Sequence, residues 1–220
     1  MSTTLEHTYP PIRVRNYRES DETAWVRTRV LAFLDTSYRD DVQMYRERYE
    51  NPSVRLVAED TSTRQLVGLM DIEYENKPGE VCNFTGERGG IIWHLAVLPE
   101  YRNVGIAQKL WEEALGQLEG AGIHRLQVWT QDDEPANHWY VARGFELKHS
   151  YLNVFARGFI DKGPLNELLV GADKTWEFGH IRNLNFEADS SQRERLEALS
   201  YRIHEVRGYE LDLKKVLPSS

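Results

Sequence analysis

The strongest constraint on the fold is an almost uninterrupted apolar run at residues 90–98, GIIWHLAVL. A run without polar alternation is typical of a strand that is covered on both faces. Residues 104–119 follow it with apolar side chains at helical spacing, and residues 124–130 again resemble a strand. Because this alternation continues to about residue 155, it predicts an α/β sheet with helices packed against it.

The remaining segments extend the pattern in both directions. Alternating or β-rich composition predicts further strands at 12–17, 54–60, 65–75, 145–155 and 208–213. Helical spacing and end signals predict helices at 20–34 (with Ser20 or Asp21 as N-cap), 40–50 (stopped by Asn51-Pro52), 134–143 and 191–206. The character of the sequence changes after residue 157. We therefore expect one domain at 1–157 and a C-terminal extension at 158–220 that serves dimerisation or the substrate pocket.

Composition excludes several classes of protein. The 220 residues carry a net charge of −8, whereas a dedicated nucleic-acid-binding domain is usually basic. An acidic surface favours cationic ligands such as amines, or serves only solubility. Cys82 is the single cysteine, so no disulfide framework and no cysteine-based metal site can form. Without a signal core or a membrane-length apolar run, we expect a cytoplasmic protein that uses no metal and binds neither nucleic acid nor membrane.

The turn between the apolar strand and the helix at 104–119 indicates a phosphate site. Backbone amides at a helix N-terminus, together with the helix dipole, bind anions. Gly105 would let a ligand approach the backbone closely, Ala107 keeps the next exposed position small, and Arg102 can add a charge-assisted contact. The alternative is that the glycine only forms a turn. The segment is neither a Walker loop nor a dinucleotide fingerprint, because the further residues that those motifs require are missing.

The same stretch resembles the acyl-CoA loop of the GNAT acyltransferase family. Arg102-Asn-Val-Gly105-Ile-Ala107 matches the family pattern Arg/Gln-x-x-Gly-x-Gly/Ala in full. The preceding LAVLPEY resembles the family's fourth strand, and WYVARGFEL at 139–147 resembles its later Tyr-x-x-x-Gly-Phe element. The resemblance covers residues 12 to about 155. It implies a GNAT-type α/β (α+β) fold, with a mixed, mostly antiparallel central sheet flanked by helices.

The resemblance also implies where acetyl-CoA, the cosubstrate, would bind. In the family it lies in a V-shaped gap between the fourth and fifth strands. The strand would offer backbone groups to the pantetheine arm, and the loop amides would hold the pyrophosphate. The implied cofactor-binding residues are Leu95, Ala96, Val97, Arg102, Asn103, Val104, Gly105, Ile106, Ala107 and Asn137, with Asp133 as a further candidate.

Direct attack by an amine requires one group to accept a proton and another to donate one. By resemblance, Tyr140 would be the general acid that protonates the departing thiolate; packing between helix and sheet is its alternative role. Relatives often carry a base at positions that match Ile91 or Trp93, and this chain does not. His94 is the neighbouring candidate base, but strand alternation would turn it away from the site unless a bulge intervenes, and a buried, hydrogen-bonded histidine is its alternative role. Asp71 or Glu73 as base or amine anchor, or a water chain, remain open, and Trp93 would wall the acceptor pocket.

We therefore expect an N-acetyltransferase that moves an acetyl group from acetyl-CoA to a primary amine. The acceptor would be a small molecule or a protein. The alternative is a non-catalytic acyl-CoA-binding sensor or scaffold of the same fold. The tail could also bind a partner and form a homodimer, which is compatible with both the enzyme and the non-catalytic module.

Overall fold

A computed structural model describes residues 10–39, 41–157 and 183–216. The strands are β1 (Ile12–Asn16), β2 (Ser53–Asp60), β3 (Leu66–Tyr74), β4 (Gly90–Val97), β5 (Arg125–Thr130), β6 (Glu146–Arg157), β7 (Asn183–Asp189) and β8 (Arg202–Asp212). The helices are α1 (Glu22–Phe33), α2 (Ile106–Gly120), α3 (Glu134–Val141) and α4 (Arg193–Glu197). No helix in these ranges is both long enough and apolar enough to cross a membrane.

The described strands form one sheet in the order β1-β2-β3-β4-β5-β8-β6-β7. Only β4 and β5 run parallel, and every other neighbouring pair is antiparallel. A parallel pair needs a long crossover, which α2 supplies between β4 and β5. The predicted mixed, mostly antiparallel sheet with flanking helices is therefore confirmed.

The two faces of the sheet bury different helices. On one face, α2 inserts an apolar stripe that includes Leu110, Ala114 and Leu118 into the larger core, which Tyr140 of α3 joins. On the other face, Trp25 of α1 packs with side chains of β2, β3 and β4 in a smaller core. We call this second side the α1 face. Because β4 lies between the two cores, its long apolar run is explained by burial on both sides.

The helix predicted at 40–50 is wrong, because residues 41–50 follow an irregular path across the α1 face. Arg46 and Tyr49 both reach Asp71 of β3, and Glu47 reaches His94 of β4. A helix would point these closely spaced side chains in different directions, so it could not bring them all onto the sheet. The polar contacts with the sheet override the helical pattern of the segment.

The helix predicted at 191–206 is also wrong in length. It is limited to α4, and residues 202–206 belong to β8. The strand predicted at 208–213 is confirmed as the second half of β8. The division at residue 157 stays a prediction, yet β8 from beyond it hydrogen-bonds to both β5 and β6 in the same sheet. The predicted N-terminal arm, apart from Pro10, and residues 158–182 of the extension lie outside the described residues.

Candidate active site

The strands β4 and β5 separate where the family resemblance predicts a cleft. They pair only through Gly90–Leu126, Ile91–Gln127 and Ile92–Val128, although β4 continues to Val97 and β5 to Thr130. Past these pairs, the edge of β4 that faces β5 has no strand partner among the described residues. We call this opening the β4–β5 gap. Leu95, Ala96 and Val97 pair with β3 on one edge, and on the other edge the Val97 carbonyl accepts from Arg102 Nε (3.3 Å). Their remaining backbone groups on the β5 side face the gap.

A bulge in β4 lies at the point where the gap opens. Asp71 pairs with His94 while the next residue, Ile72, pairs with Ile92, so Trp93 is the extra residue. A bulge bends a strand and increases its twist, which separates it from its neighbour. It also reverses the side-chain alternation: Ile92 points into the larger core, whereas His94 contacts Trp25 on the α1 face. The bulge that the sequence analysis left open is therefore present in β4.

The start of α2 forms a set of open backbone donors beside the gap. Gly105 is the N-cap in the left-handed conformation (φ 83°), and Asn103 on the same turn also has a positive φ of 63°. No side chain caps the helix, and no described group accepts a hydrogen bond from the amides of residues 105–108. A Cβ added at Gly105 would meet nothing within 4 Å. Glycine is therefore needed here for the left-handed φ and for open access to the backbone, and not because a side chain would clash.

The other residues of the turn hold it in place. Ile106 is buried, and its Cγ2 lies within 3.0 Å of where a Cβ on Gly68 would be. Val104 packs against the larger core, and Ala107 keeps the second helical position small. Together, the open amides, the helix dipole and the free space outside Gly105 fit a pyrophosphate group.

Arg102 connects this turn to the end of α1. Its guanidinium donates to both oxygens of Asp35 (2.7 and 2.9 Å) and to the carbonyl of Ala32 (2.7 Å). This pairing holds the pKa of Asp35 below its usual range. Arg102 would have to share its charge between Asp35 and a phosphate, so in this structure it braces the turn.

Tyr140 of α3 belongs to the larger core and lies near Tyr38, whose hydroxyl accepts from the amide that follows β5. Its ring is 5% exposed and packs edge-on against Trp139 and Phe145. Burial, with a smaller effect from the nearby Tyr38, raises the pKa of Tyr140 above its usual range. The raised pKa keeps the phenolic hydroxyl protonated at neutral pH.

Asn137 and Asp133 are engaged in internal hydrogen bonds. Asn137 donates to the carbonyls of Gln131 and Asp133 (both 2.7 Å) and accepts from the Tyr209 hydroxyl (2.7 Å). Asp133 caps α3 by accepting from the amide of Ala136 (3.1 Å). Both amide hydrogens of Asn137 are used, so a contact with the cofactor would have to replace one of these bonds or use the remaining lone pair of its oxygen.

Tyr38 is a site residue that sequence reasoning missed. Its hydroxyl accepts from the amide of Gln131 (2.7 Å) and lies 3.5 Å from Thr130 Oγ1, at the end of β5. It therefore reaches from the loop after α1 to the far side of the gap, beside Tyr140. No motif marks a single tyrosine in an irregular loop, so the sequence held no signal for it.

Glu73 and Trp93 form the floor of the α1 face next to the bulge. Glu73 Oε2 accepts from Trp93 Nε1 (3.0 Å), and Oε1 accepts from the backbone and the side-chain amide of Asn51 (both 3.1 Å). Glu73 is 8% exposed, whereas Trp93 is 45% exposed. A carboxylate therefore lies under an accessible aromatic surface beside the gap.

His94 has both ring nitrogens engaged. Nδ1 accepts from Arg29 Nε (3.4 Å), which assigns the proton to Nε2, and Nε2 donates to Glu47 Oε2 (3.0 Å). The hydrogen bond with His94 lowers the pKa of Glu47 to about 2. To act as a base, His94 would first have to release Arg29 or Glu47.

Asp71 is fully buried beneath the same segment. Its Oδ2 accepts from the Tyr49 hydroxyl (3.1 Å) and lies 2.9 Å from Arg46 Nη2. Burial raises the pKa of Asp71, and the positive charge of Arg46 opposes that shift. Asp71 has no exposed surface and supports the 41–51 segment, so Glu73 is the more accessible of the two carboxylates.

The loop between β3 and β4 closes the face on the β5 side. The Glu75 carboxylate accepts hydrogen bonds from four backbone amides of this loop, those of Gly79, Val81, Cys82 and Gly89. Phe84 of this loop packs against Trp129 of β5 at 5.3 Å between ring centres. Burial raises the pKa of the Cys82 thiol to about 12, which does not suit a nucleophile. Among the described residues, no group of three or more His, Cys, Asp or Glu side chains is arranged to hold a metal ion.

Comparison with known proteins agrees with this geometry. A family model described as "Acetyltransferase (GNAT) family" matches residues 15–145. No curated protein sequence matches the chain significantly.

Solved structures resemble the chain at low sequence identity. An acetyltransferase of the GNAT family from Staphylococcus aureus is 13% identical, with a TM-score of 0.52 over 92% of this chain and 99% of that chain. Arabidopsis thaliana NAA60 in complex with a bisubstrate analogue is 15% identical, with a TM-score of 0.52 over 92% of this chain and 98% of that chain. The Escherichia coli ribosomal-protein-S18-alanine N-acetyltransferase is 10% identical, with a TM-score of 0.51 over 92% of this chain and 94% of that chain. At these identities the similarity shows the shared fold, and the predicted GNAT fold class is confirmed.

The family model spans more than half of the chain and includes both the β4–β5 gap and the turn before α2. The chain therefore belongs to the GNAT acetyltransferase family and is an acyltransferase.

Proposed function

We propose that this acyltransferase moves an acetyl group from acetyl-CoA to a primary amine by direct attack. The observation that carries the proposal is the β4–β5 gap, which opens next to the uncapped start of α2. An extended thioester with an anionic head needs both features: strand backbone along its arm and free amides at its phosphates.

The two parts of the gap would hold different parts of the cosubstrate. The amides around Gly105 would bind the pyrophosphate, and the edge of Leu95, Ala96 and Val97 that faces away from β3 would bind the pantetheine arm. Backbone amides near the bulge would polarise the thioester carbonyl, because a fixed donor stabilises the charge that develops on its oxygen. Arg102 and Asn137 would contribute chiefly by holding the turn and the start of α3.

The chemistry requires one bond to form and one to break. The neutral amine nitrogen attacks the carbonyl carbon, the carbon–sulfur bond breaks, and the departing sulfur takes a proton from Tyr140. A raised pKa keeps Tyr140 protonated at neutral pH, as an acid must be before it acts.

The amine must also lose a proton, since a free alkylamine has a pKa of about 10.4. Glu73 is the most suitable acceptor or anchor, because it lies beside Trp93 and the gap. His94 supports the surrounding structure instead, since both of its ring nitrogens are bound. A water chain ending at Glu73 would serve when the amine does not reach the carboxylate directly.

The acceptor class includes small amines and protein amines. Among the similar solved structures, the Escherichia coli protein acts on an alanine of a ribosomal protein. A homodimer and a cytoplasmic setting for the reaction stay predictions.

Thiol release from acetyl-CoA in the presence of a panel of amines and peptides tests the proposal, with mass spectrometry of the products. We expect amine-dependent release and one acetyl group per product. Binding of acetyl-CoA without turnover on any acceptor would instead favour a non-catalytic acyl-CoA-binding module. Relatives often carry a glutamate or histidine as base at the positions of Ile91 and Trp93, and its absence here is the observation that favours this second function.

A further inference from the structure

A cavity of about 550 Å³ lies on the α1 face, and its lining residue Asn51 hydrogen-bonds to Glu73. It is formed where the irregular 41–52 segment passes over the start of β2. The charged and polar side chains that line it include Arg46, Arg48, Arg55, Tyr49, Asn51 and Glu19. We call it the arginine cavity.

The lining carries more positive than negative charge, in a protein whose net charge is −8. Arg46 is paired with the buried Asp71, and Arg55 lies 3.4 Å from Glu19, which is largely exposed. Arg48 is exposed and has no ion-pair partner among the described residues. An excess of guanidinium groups in a concave site suits an oxyanion, because each group can donate two parallel hydrogen bonds to it.

Arg46 gives the cavity a buried donor with unused capacity. Its side chain is 6% exposed and lies against the rings of Tyr17 and Tyr49, at 4.8 and 4.9 Å. Nη1 donates to the carbonyl of Glu47, and Nη2 forms an ion pair with Asp71 Oδ2 at 2.9 Å. Nε has no hydrogen-bond partner among the described residues. Buried donors are normally satisfied, so the open Nε of this buried cation indicates a place for a ligand oxygen.

The cavity is connected to the reaction site through one residue. Asn51 lines the cavity and donates two hydrogen bonds to Glu73, whose other oxygen holds Trp93 at the bulge. Ser53 of β2, Glu73 of β3 and Ile91 of β4 lie in one row across the sheet. Two strand spacings separate β2 from β4, which is about 10 Å.

From this arrangement we propose that the arginine cavity binds a carboxylate or phosphate group of the amine acceptor. The acceptor is then an amine with an anionic group about 10 Å from the reacting nitrogen. This inference rests on the proposed acetyl transfer for the role of the ligand, but not for the existence of the site. Glu73 would meet the amine end while Arg46 and Arg48 meet the anionic end.

Arg48 separates this role from a purely structural one. Arg46 also holds the 41–51 segment against aromatic rings, so its removal could unfold the segment. Arg48 is exposed, and Arg48→Glu reverses the charge at the cavity without removing a described contact. Arg27→Glu is the matched control, because Arg27 is exposed on α1 and does not line the cavity.

The first arm of the test needs no turnover. Inorganic phosphate and glutarate are titrated separately into the full chain and followed by amide chemical shifts. We expect either anion to bind the wild type and Arg27→Glu equally, and Arg48→Glu to bind at least about tenfold more weakly, as for loss of a charged contact. The anion that binds more tightly identifies the group. No binding, or equal binding to Arg48→Glu, would overturn the inference.

The second arm compares ω-aminooctanoate with octylamine in the thiol-release assay. We expect the amino acid to have at least about tenfold higher kcat/KM, and this preference to disappear in Arg48→Glu but not in Arg27→Glu. Equal use of both amines by the wild type would overturn the acceptor assignment. Anion binding as expected, with neither amine acetylated, would overturn the proposed function together with that assignment while leaving the anion site.

Discussion

The proposed cofactor side and the proposed acceptor side of this molecule present different kinds of groups. At the start of α2, consecutive backbone amides have no hydrogen-bond acceptor, and no side chain caps the helix, among the residues that the structure describes. On the α1 face, side chains of the 41–51 segment are tied to the sheet by hydrogen bonds and ion pairs, such as Glu47 to His94 and Asn51 to Glu73. A ligand common to a whole family can be bound by backbone, whereas an acceptor particular to one enzyme has to be recognised by side chains.

This difference determines which substitutions should affect which ligand. A change at the α2 turn should weaken acetyl-CoA binding and leave the acceptor face intact. A change at Glu73 or Glu47 should do the reverse. Tyr140, the proposed general acid, is buried and should affect turnover without affecting either binding step strongly.

The largest effect is expected for Tyr140→Phe. General acid catalysis contributes about 10²–10⁴ in rate, so we expect kcat to fall by about 10²–10³ with the acetyl-CoA Kd nearly unchanged. Because the pKa of Tyr140 is raised, the acid stays protonated above neutral pH, and the wild-type rate should not fall on the alkaline side through loss of this proton below about pH 10. Steady-state kinetics across pH measure both. Tyr45→Phe, at an exposed position, is the control; equal activity of the two variants would exclude the acid role.

Next in size is Gly105→Glu, which places a carboxylate over the open amides. We expect the acetyl-CoA Kd to rise about 100-fold or more, or about 2.7 kcal/mol, because of repulsion with the pyrophosphate and the strain of a side chain at a φ of 83°. Calorimetric titration measures it. Gly116→Glu adds the same charge at an exposed position further along α2, and should bind normally. Similar losses in both variants would show that charge anywhere on the helix is enough.

A smaller effect is expected for Glu73→Gln. The amide cannot accept a proton, and it can accept a hydrogen bond from only one of Asn51 and Trp93. We expect kcat/KM for the amine to fall about 10- to 100-fold, at the lower end of acid–base contributions, with acetyl-CoA binding retained. The split between kcat and KM distinguishes a base from an amine anchor. A change of less than about twofold in kcat/KM would remove Glu73 from the mechanism.

The smallest effect is expected for Glu47→Gln and concerns stability. Since folding lowers the pKa of Glu47 from 4.5 to about 2, its contribution is present above about pH 4.5 and is lost as the pH falls towards 2. Glu47 is partly exposed, so we expect a loss of only about 1 kcal/mol at neutral pH. Denaturant unfolding from neutral to acidic pH should show the two proteins converging. The exposed Glu50→Gln is the control and should leave the free energy of unfolding unchanged across this pH range. A loss of unfolding free energy in Glu47→Gln that is the same at every pH would contradict the pairing with His94.

The same contrast explains what the sequence could predict. The run at 90–98, the helix after Gly105 and the turn between them follow from apolar periodicity and the φ of one glycine, and all are confirmed. The helix predicted at 40–50 failed because local spacing cannot register the contacts of Arg46 and Glu47 with strands far along the chain. Tyr38 was missed and the bulge at Trp93 was left open for the same reason, because neither is marked by a local sequence pattern. Insertion of β8 between β5 and β6 is likewise a long-range pairing.

Hydrogen exchange of the backbone amides with and without acetyl-CoA tests the central claim most directly. We predict that saturating acetyl-CoA slows exchange at residues 103–108 and at 93–97 along the gap, and leaves residues 41–51 nearly unchanged. That result would place the cosubstrate on backbone groups at the α2 turn and β4, with the acceptor side still free. Tight binding with protection elsewhere, or with no slowing at residues 105–108, would contradict the account.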